Sequence, residues 1–306
     1  MLSIFPYCPG RLPMNHRQPR WMRATLSACV LFASSVAMAQ DDPISAELAR
    51  IEQALDARIG FAAHDLATGQ RWEVNADERF AMSSTFKTLA CGALLEQVDE
   101  GQLAPDTEVS FDESALVTYS PVTEQYAGHQ PMTLFELCDA TMTTSDNTAA
   151  NLILEALGGP EAITAFARRL DDSVTRLDRF ETELNEATPG DERDTTTPNA
   201  MLATLETLVL GDVLTPEARQ QLQDWMKGNA VADGLFRAAM PFDWVIADRT
   251  GAGGYGSRSI TAIIWPPEQA PTVAVFYLTE TDASFEARNE AIAALGEVLQ
   301  AYLDER

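Results

Sequence analysis

Ser84-Thr85-Phe86-Lys87 sets a hydroxyl and an amine three residues apart, and at a helix start such positions share a face. A serine hydroxyl is a weak nucleophile until a neighbouring base takes its proton, and desolvation lowers a lysine pKa toward that task. The N-terminus of the same helix would offer backbone N–H groups and a positive dipole to a developing oxyanion. Two further segments could complete this chemistry. Ser145-Asp146-Asn147 supplies a second hydroxyl able to pass a proton to a leaving nitrogen, and an amide able to donate to a substrate carbonyl. Arg249-Thr250-Gly251-Ala252-Gly253 follows the apolar Trp244-Val245-Ile246-Ala247 and reads as a strand end bearing a cation and a hydroxyl. The small residues after it let a substrate lie close to backbone. Taken singly, the first two have plainer readings: a serine N-cap ahead of a surface lysine, and an ordinary capping tripeptide.

Such residues need rigid elements to hold them. Ile44, Leu48, Ile51 and Leu55 recur at helical spacing, which predicts a helix over residues 44–57. Residues 59–65 and 70–74 read as strands joined at Ala67-Thr68-Gly69, and residues 259–265 and 272–278 as strands around Pro266-Pro267. Residues 84–227 read as mostly helical, with loops near 115–131 and 176–199, and an amphipathic helix is expected over residues 285–303. Strands at both ends with helices between them imply an α+β fold. One antiparallel sheet would form from both chain ends, covered by helices, with an all-α subdomain inserted. The expected boundaries are 40–76 and 228–306 for the α/β part and 77–227 for the helical part.

The first 39 residues are expected to stand apart. Arg11, Arg17, Arg20 and Arg23 precede an apolar run from Leu26 to Ala33 and an Ala37-Met38-Ala39 site, the pattern of a secretory signal peptide. The run is too short to span a bilayer, and Met14 or Met22 could equally be the start. Leu26-Ser27-Ala28-Cys29 imitates a lipoprotein site, but there the apolar core should precede the cysteine. Without this leader 267 of the 306 residues remain, enough for a large core. They carry 17 basic and 46 acidic residues, a formal net charge of −29. That excludes nucleic acid and an anionic membrane as natural partners. It suits a solvated surface, or one tuned to high salt where self-repulsion is screened.

Scarcity is as informative as abundance. Lys87 and Lys227 are the only lysines, and past the leader only His64, His129, Cys91 and Cys138 remain of their types. These counts exclude a Cys/His zinc site and leave little room for a Ser-His-Asp triad, so hydrolytic chemistry must use other bases. In an oxidising compartment the two cysteines are expected to form a disulfide, worth about 4 kcal/mol by the chain-entropy estimate.

The three motifs, in this order, resemble the S-x-x-K, S-D-N and K-T-G signature of the class A serine β-lactamases. Arg179-Phe180-Glu181-Thr182-Glu183-Leu184-Asn185 resembles the family's Ω-loop with its E-x-x-L-N core, and Tyr119-Ser120-Pro121-Val122-Thr123-Glu124 its cleft wall. The resemblance spans essentially the whole chain past the leader. It implies Ser84 as nucleophile, Lys87 and Ser145 as proton carriers, and Glu181 as the base for a water held with Asn185. It further implies a substrate site formed by Tyr119, Asn147, Asn185, Arg249, Thr250, Gly251, Ala252 and Arg258, and an Arg179–Asp194 pair at the loop neck. No metal or organic cofactor is implied; the substrate would be a small β-lactam, the protein a periplasmic monomer without membrane anchor, and the outcome antibiotic resistance.

Two positions depart from the pattern. Arg249 stands where most members have lysine, and residues 249–265 look most like the carbenicillin-hydrolysing subgroup, which carries this arginine. Arginine keeps the charge but does not act as a proton donor. Thr182 stands where many members have proline, beside Glu181. Ser83, where some carbapenem-hydrolysing relatives carry cysteine, argues against that activity. A penicillin-binding peptidase and a membrane-tethered β-lactam sensor share the serine–lysine logic, but lack the water-activating loop or require an anchor, respectively.

Overall fold

The computed structural model describes residues 42–306; the expected leader lies outside them. Helix α1 (Pro43–Leu55) opens with Asp42 accepting from the Ser45 N–H and with proline in its first turn, and buries Ile44, Leu48 and Ile51. Strands β1 (Arg58–Asp65) and β2 (Arg71–Val74) form an antiparallel hairpin. Strand β3 (Phe80–Ala81) leads through a 3-10 turn, Ser83–Phe86, into α2 (Lys87–Asp99). Strands β4 (Glu108–Val109) and β5 (Met132–Thr133) pair with each other ahead of helices α3 (Leu134–Thr144), α4 (Asn147–Leu157) and α5 (Pro160–Arg169). Strand β6 (Thr195–Thr196) returns to pair with β3. Helices α6 (Pro198–Leu205), α7 (Pro216–Lys227) and α8 (Phe236–Ala239) then precede strands β7 (Val245–Ala252), β8 (Arg258–Trp265) and β9 (Thr272–Thr279), and α9 (Phe285–Glu305) closes the order.

The five long strands make one antiparallel sheet in the order β2-β1-β9-β8-β7, with Phe61 opposite Phe276 and Phe276 opposite Ile260. Side chains alternate across it, as period 2 requires. Val273, Val275 and Tyr277 of β9 join Ile263 and Ala247 in a core shared with helices α2 to α7. Ala274, Phe276 and Leu278 turn the other way and join Ile260, Ala262 and Ile264 against α1 and the Ile292, Leu295, Leu299 and Leu303 stripe of α9. Both faces of the sheet are therefore covered, and the α+β expectation, with its sheet from both chain ends, holds.

Cys91 on α2 and Cys138 on α3 form the expected disulfide, their Cα atoms 5.8 Å apart. The β3–β6 and β4–β5 ladders had no signal in the sequence, because strands of two residues are too short for periodicity to show. Short as it is, the β3–β6 ladder ties the segment entering the Ser83–Phe86 turn to the end of the 176–199 loop.

Candidate active site

The turn at Ser83–Phe86 is held from three sides. The Met82 N–H donates to the Asp194 carbonyl, the Thr85 hydroxyl donates to the Met82 carbonyl, and Thr85 Oγ1 lies 3.2 Å from the Tyr277 hydroxyl on β9. On the fourth side β7 packs against it so closely that a Cβ on Gly251 would lie 2.5 Å from Ser259 Oγ and 2.9 Å from the Met82 carbonyl. The glycine there is required by the protein's own packing. The result places Ser84 at the base of a cleft of about 510 Å³, lined also by Tyr119, Ser145, Asn147, Asn185, Thr250, Gly251, Ala252 and Arg258.

The Ser-Asp-Asn segment sits between two helices. Ser145 ends α3 in a left-handed conformation, and Asp146 caps α4 through the Ala149 N–H. The other oxygen of Asp146 accepts from the Val122 and Thr123 N–H groups, which fastens the Tyr119 wall to the same corner. Asn147 has both ends of its amide occupied: Oδ1 accepts from Lys87 Nζ at 2.7 Å and Nδ2 donates to the Thr118 carbonyl at 2.9 Å.

Lys87 is fully buried, and its ammonium faces acceptors. Besides Asn147 it donates to the Ser145 carbonyl at 2.9 Å and to Ser145 Oγ at 3.2 Å, with Glu181 Oε1 also at 3.2 Å. Burial is the main reason its pKa falls to about 8, with Arg249 adding to the fall and Glu181 opposing it. Ser84 Oγ lies 3.5 Å from Glu181 Oε1; among the described residues it makes no hydrogen bond with Lys87. The i, i+3 spacing thus puts the two groups on one face, yet the carboxylate is the group that meets the hydroxyl.

Glu181 is positioned by its backbone. Asn151, one turn beyond Asn147 on α4, accepts from the Glu181 N–H at 2.8 Å and donates to its carbonyl at 2.9 Å. Asn185 Nδ2 donates to Glu181 Oε2, and Asn185 Oδ1 is buried with no protein donor among the described residues. The Glu181–Thr182 peptide is cis, although the residue is threonine. At the loop neck Arg179 Nε donates to Asp194 Oδ2 at 2.6 Å, and Asp194 Oδ1 accepts from the Asp178 and Arg179 N–H groups. That is the pair the resemblance implied.

The cations are arranged less simply than the sequence suggested. Arg258 lines the cleft, anchored by Asn289 Oδ1 at 2.7 Å and the Gly251 carbonyl at 2.9 Å, with Phe285 4.9 Å from its guanidinium carbon. Arg249 does not reach the cleft surface. It lies fully buried between β7 and the Ser83–Phe86 turn, donating to the Ser84 carbonyl, the Met142 carbonyl and Asn229 Oδ1. Burial lowers the pKa of each to about 10, and both stay charged at neutral pH. Asn229, Asn289, Asn151 and Phe285 were missed in the sequence. Asn229 comes just after Gly228 at a helix end and reads there as a turn, and the others sit on helix faces that only the tertiary fold turns toward the site.

A nucleophile turn, a buried carboxylate–ammonium pair and an arginine, Arg258, lining one cleft define a serine hydrolase. The chain matches the family described as "Beta-lactamase enzyme family" over residues 43–303. It is 50% identical over 249 residues to β-lactamase AER-1 of Aeromonas hydrophila, covering 81% of this chain and 82% of that protein. It is 47% identical over 267 residues to β-lactamase PSE-4 of Pseudomonas aeruginosa, covering 87% and 91%. The solved structure of an ancestral class A β-lactamase superposes with a TM-score of 0.83 at 52% identity, over 85% of this chain and 99% of that one. The chromosome-encoded β-lactamase of Vibrio parahaemolyticus gives a TM-score of 0.83 at 46% identity, over 86% and 100%. The chain belongs to this family, as a class A serine β-lactamase.

Proposed function

We propose that the protein opens penicillins, carbenicillin included, through an acyl-enzyme on Ser84 that Glu181 then helps water to cleave. The carrying observation is the convergence on Glu181 Oε1, which stands 3.5 Å from Ser84 Oγ and 3.2 Å from Lys87 Nζ. In acylation the Ser84 oxygen bonds to the lactam carbonyl carbon while the carbon–nitrogen bond breaks. The hydroxyl proton enters at Lys87, directly or by way of Glu181, as the Lys87 ammonium releases one through Ser145 to the ring nitrogen, so carboxylate and ammonium end as they began. The Ser84 and Ala252 N–H groups serve as oxyanion donors; one such donor is worth about 2.7–4 kcal/mol in a related setting. Arg249, Thr250 and Arg258 draw the substrate carboxylate, with Tyr119 and Asn147 along the rest of the substrate.

In deacylation a water gives its proton to Glu181 and its oxygen to the acyl carbon; the bond from that carbon to Ser84 Oγ breaks, and Glu181 passes the proton on to Oγ, restoring both groups. Asn185 Oδ1, unpaired with any protein donor among the described residues, can accept from that water. The carbenicillin assignment rests on Arg249 in R-T-G, and periplasmic export on the leader pattern. The subdomain boundaries read from the sequence, a monomeric state and a role in antibiotic resistance belong to the same proposal. The test is benzylpenicillin in excess, followed optically with intact mass at short times. Many turnovers, with carbenicillin also consumed, are expected. A single burst with a lasting adduct on Ser84 would instead make the protein a penicillin-binding module.

A further inference from the structure

Of the acids buried beside the cleft, Asp146 is held by N–H groups and a hydroxyl, while Glu181 and Asp248 each have a cation. Glu181 has Lys87 at 3.2 Å, and Asp248 receives Arg237 Nε at 2.7 Å and Nη2 at 3.2 Å. Arg249 and Arg258 differ. Their hydrogen-bond partners among the described residues are all neutral: backbone carbonyls, Asn229 and Asn289. In a protein with a strong negative excess, two cations at or beneath the cleft therefore have no carboxylate hydrogen-bonded to them, Arg249 feeling Asp248 and Glu181 only at longer range.

Asn229 is the only side chain that hydrogen-bonds to the Arg249 guanidinium among the described residues, and it is 1% exposed. Both ends of its amide are specified. Nδ2 donates to Asp248 Oδ1 at 2.7 Å, and Oδ1 accepts from Arg249 Nη1 and from the Val231 N–H, each at 3.2 Å. An aspartate of the same shape would meet the Asp248 carboxylate with acceptors only. It would also set a negative charge against Arg249. The amide alone satisfies both neighbours without cancelling the cation.

We propose that Asn229 is a positioning residue that holds Arg249 through an uncharged acceptor, fixing the guanidinium while leaving its charge to attract the substrate carboxylate. This rests on the reading of Arg249 and Arg258 as the anionic anchor. The charged groups facing position 229 are Asp248 and Arg249 on β7 and Arg237 on α8. Lys227, at the end of α7, turns its ammonium toward Asp224 instead. In Asn229→Asp the new carboxylate and Asp248 would share one proton at low pH, because two such groups in contact do not both ionise readily. The variant then carries the wild-type charge. As pH rises that proton leaves and the added negative charge screens Arg249.

The experiment measures KM and kcat for benzylpenicillin from about pH 5.5 to about pH 9 in wild type, Asn229→Asp, Arg249→Gln and the double variant, with melting curves for each. The KM ratio of Asn229→Asp to wild type should climb from near unity to about tenfold, with kcat held within about twofold. In the Arg249→Gln background the climb should vanish. A flat ratio, or a climb that survives loss of Arg249, overturns the proposal. If Asn229→Asp does not fold, Asn229→Ala must raise KM with Arg249 present and leave it unmoved without Arg249. An Arg249→Gln variant with wild-type KM would overturn the anchor reading itself, a separate outcome.

Discussion

The floor of the cleft and the neck of the 176–199 loop each hold an ion pair on a buried carboxylate, and the two are built differently. At the neck, Arg179 meets Asp194 at 2.6 Å, and the rest of the carboxylate is spent on backbone N–H groups. Burial pulls the Arg179 pKa down, but the hydrogen bonds it donates to Asp194 and Glu186 outweigh it and leave the pKa raised. Arg179 therefore holds its proton firmly. On the floor, Lys87 and Glu181 stand farther apart, at 3.2 Å, and each contacts a hydroxyl as well as the other. Burial brings the lysine to about 8, within reach of physiological pH. A pair whose other contacts are backbone N–H groups and a second carboxylate fixes chain geometry, whereas one that shares its atoms with hydroxyls can pass protons among them.

The contrast can be broken at either end. The largest effect is expected from Glu181→Ala, which should still be acylated but should lose turnover by about a thousandfold. Intact mass would then show penicillin retained on Ser84, and rapid turnover would remove Glu181 from its role. Arg179→Ala should act through stability, since it leaves Asp194 buried without its cation, at a cost of about 3 kcal/mol. Denaturant melts would show the loss, and an unchanged midpoint would mean that backbone donors alone hold the neck. The smallest effect is the pH response. The Lys87 amine is surrounded by acceptors, the arrangement of an ammonium ion. Because its pKa is lowered to about 8, kcat/KM for benzylpenicillin should fall to about half its plateau by pH 8 and decline further above it. A rise through the same range would make the neutral amine the working form.

Much of this arrangement could be read from residue order. The strand runs at residues 259–265 and 272–278 around Pro266-Pro267 placed the sheet, and S-x-x-K, S-D-N and E-x-x-L-N brought forward Ser84, Lys87, Ser145, Glu181 and Asn185. What the sequence lacked was information carried by contacts between distant segments. It showed Lys87 and Ser84 on one face but not that Glu181, 97 positions away from Ser84, would come between them. Arg249 was legible as a cation at a strand end. Whether its side chain would point into the cleft or behind it depends on register against β8, where Arg249 lies opposite Thr261. Asn229 had no signal of its own, because its two partners are 19 and 20 positions further along.

The strand order carries a consequence for how the molecule is made. Strand β9, formed by residues 272–279, lies at the centre of the sheet between β1 and β8. A ribosome therefore finishes nearly every helix before it supplies the strand that joins the two halves of the sheet. Until then β1 has only its hairpin partner, and pairing across such a span is slow because the chain loses much entropy before any contact rewards it. Completion is thus withheld until late in synthesis, which leaves an extended interval in which the growing polypeptide is pliable and open to chaperones.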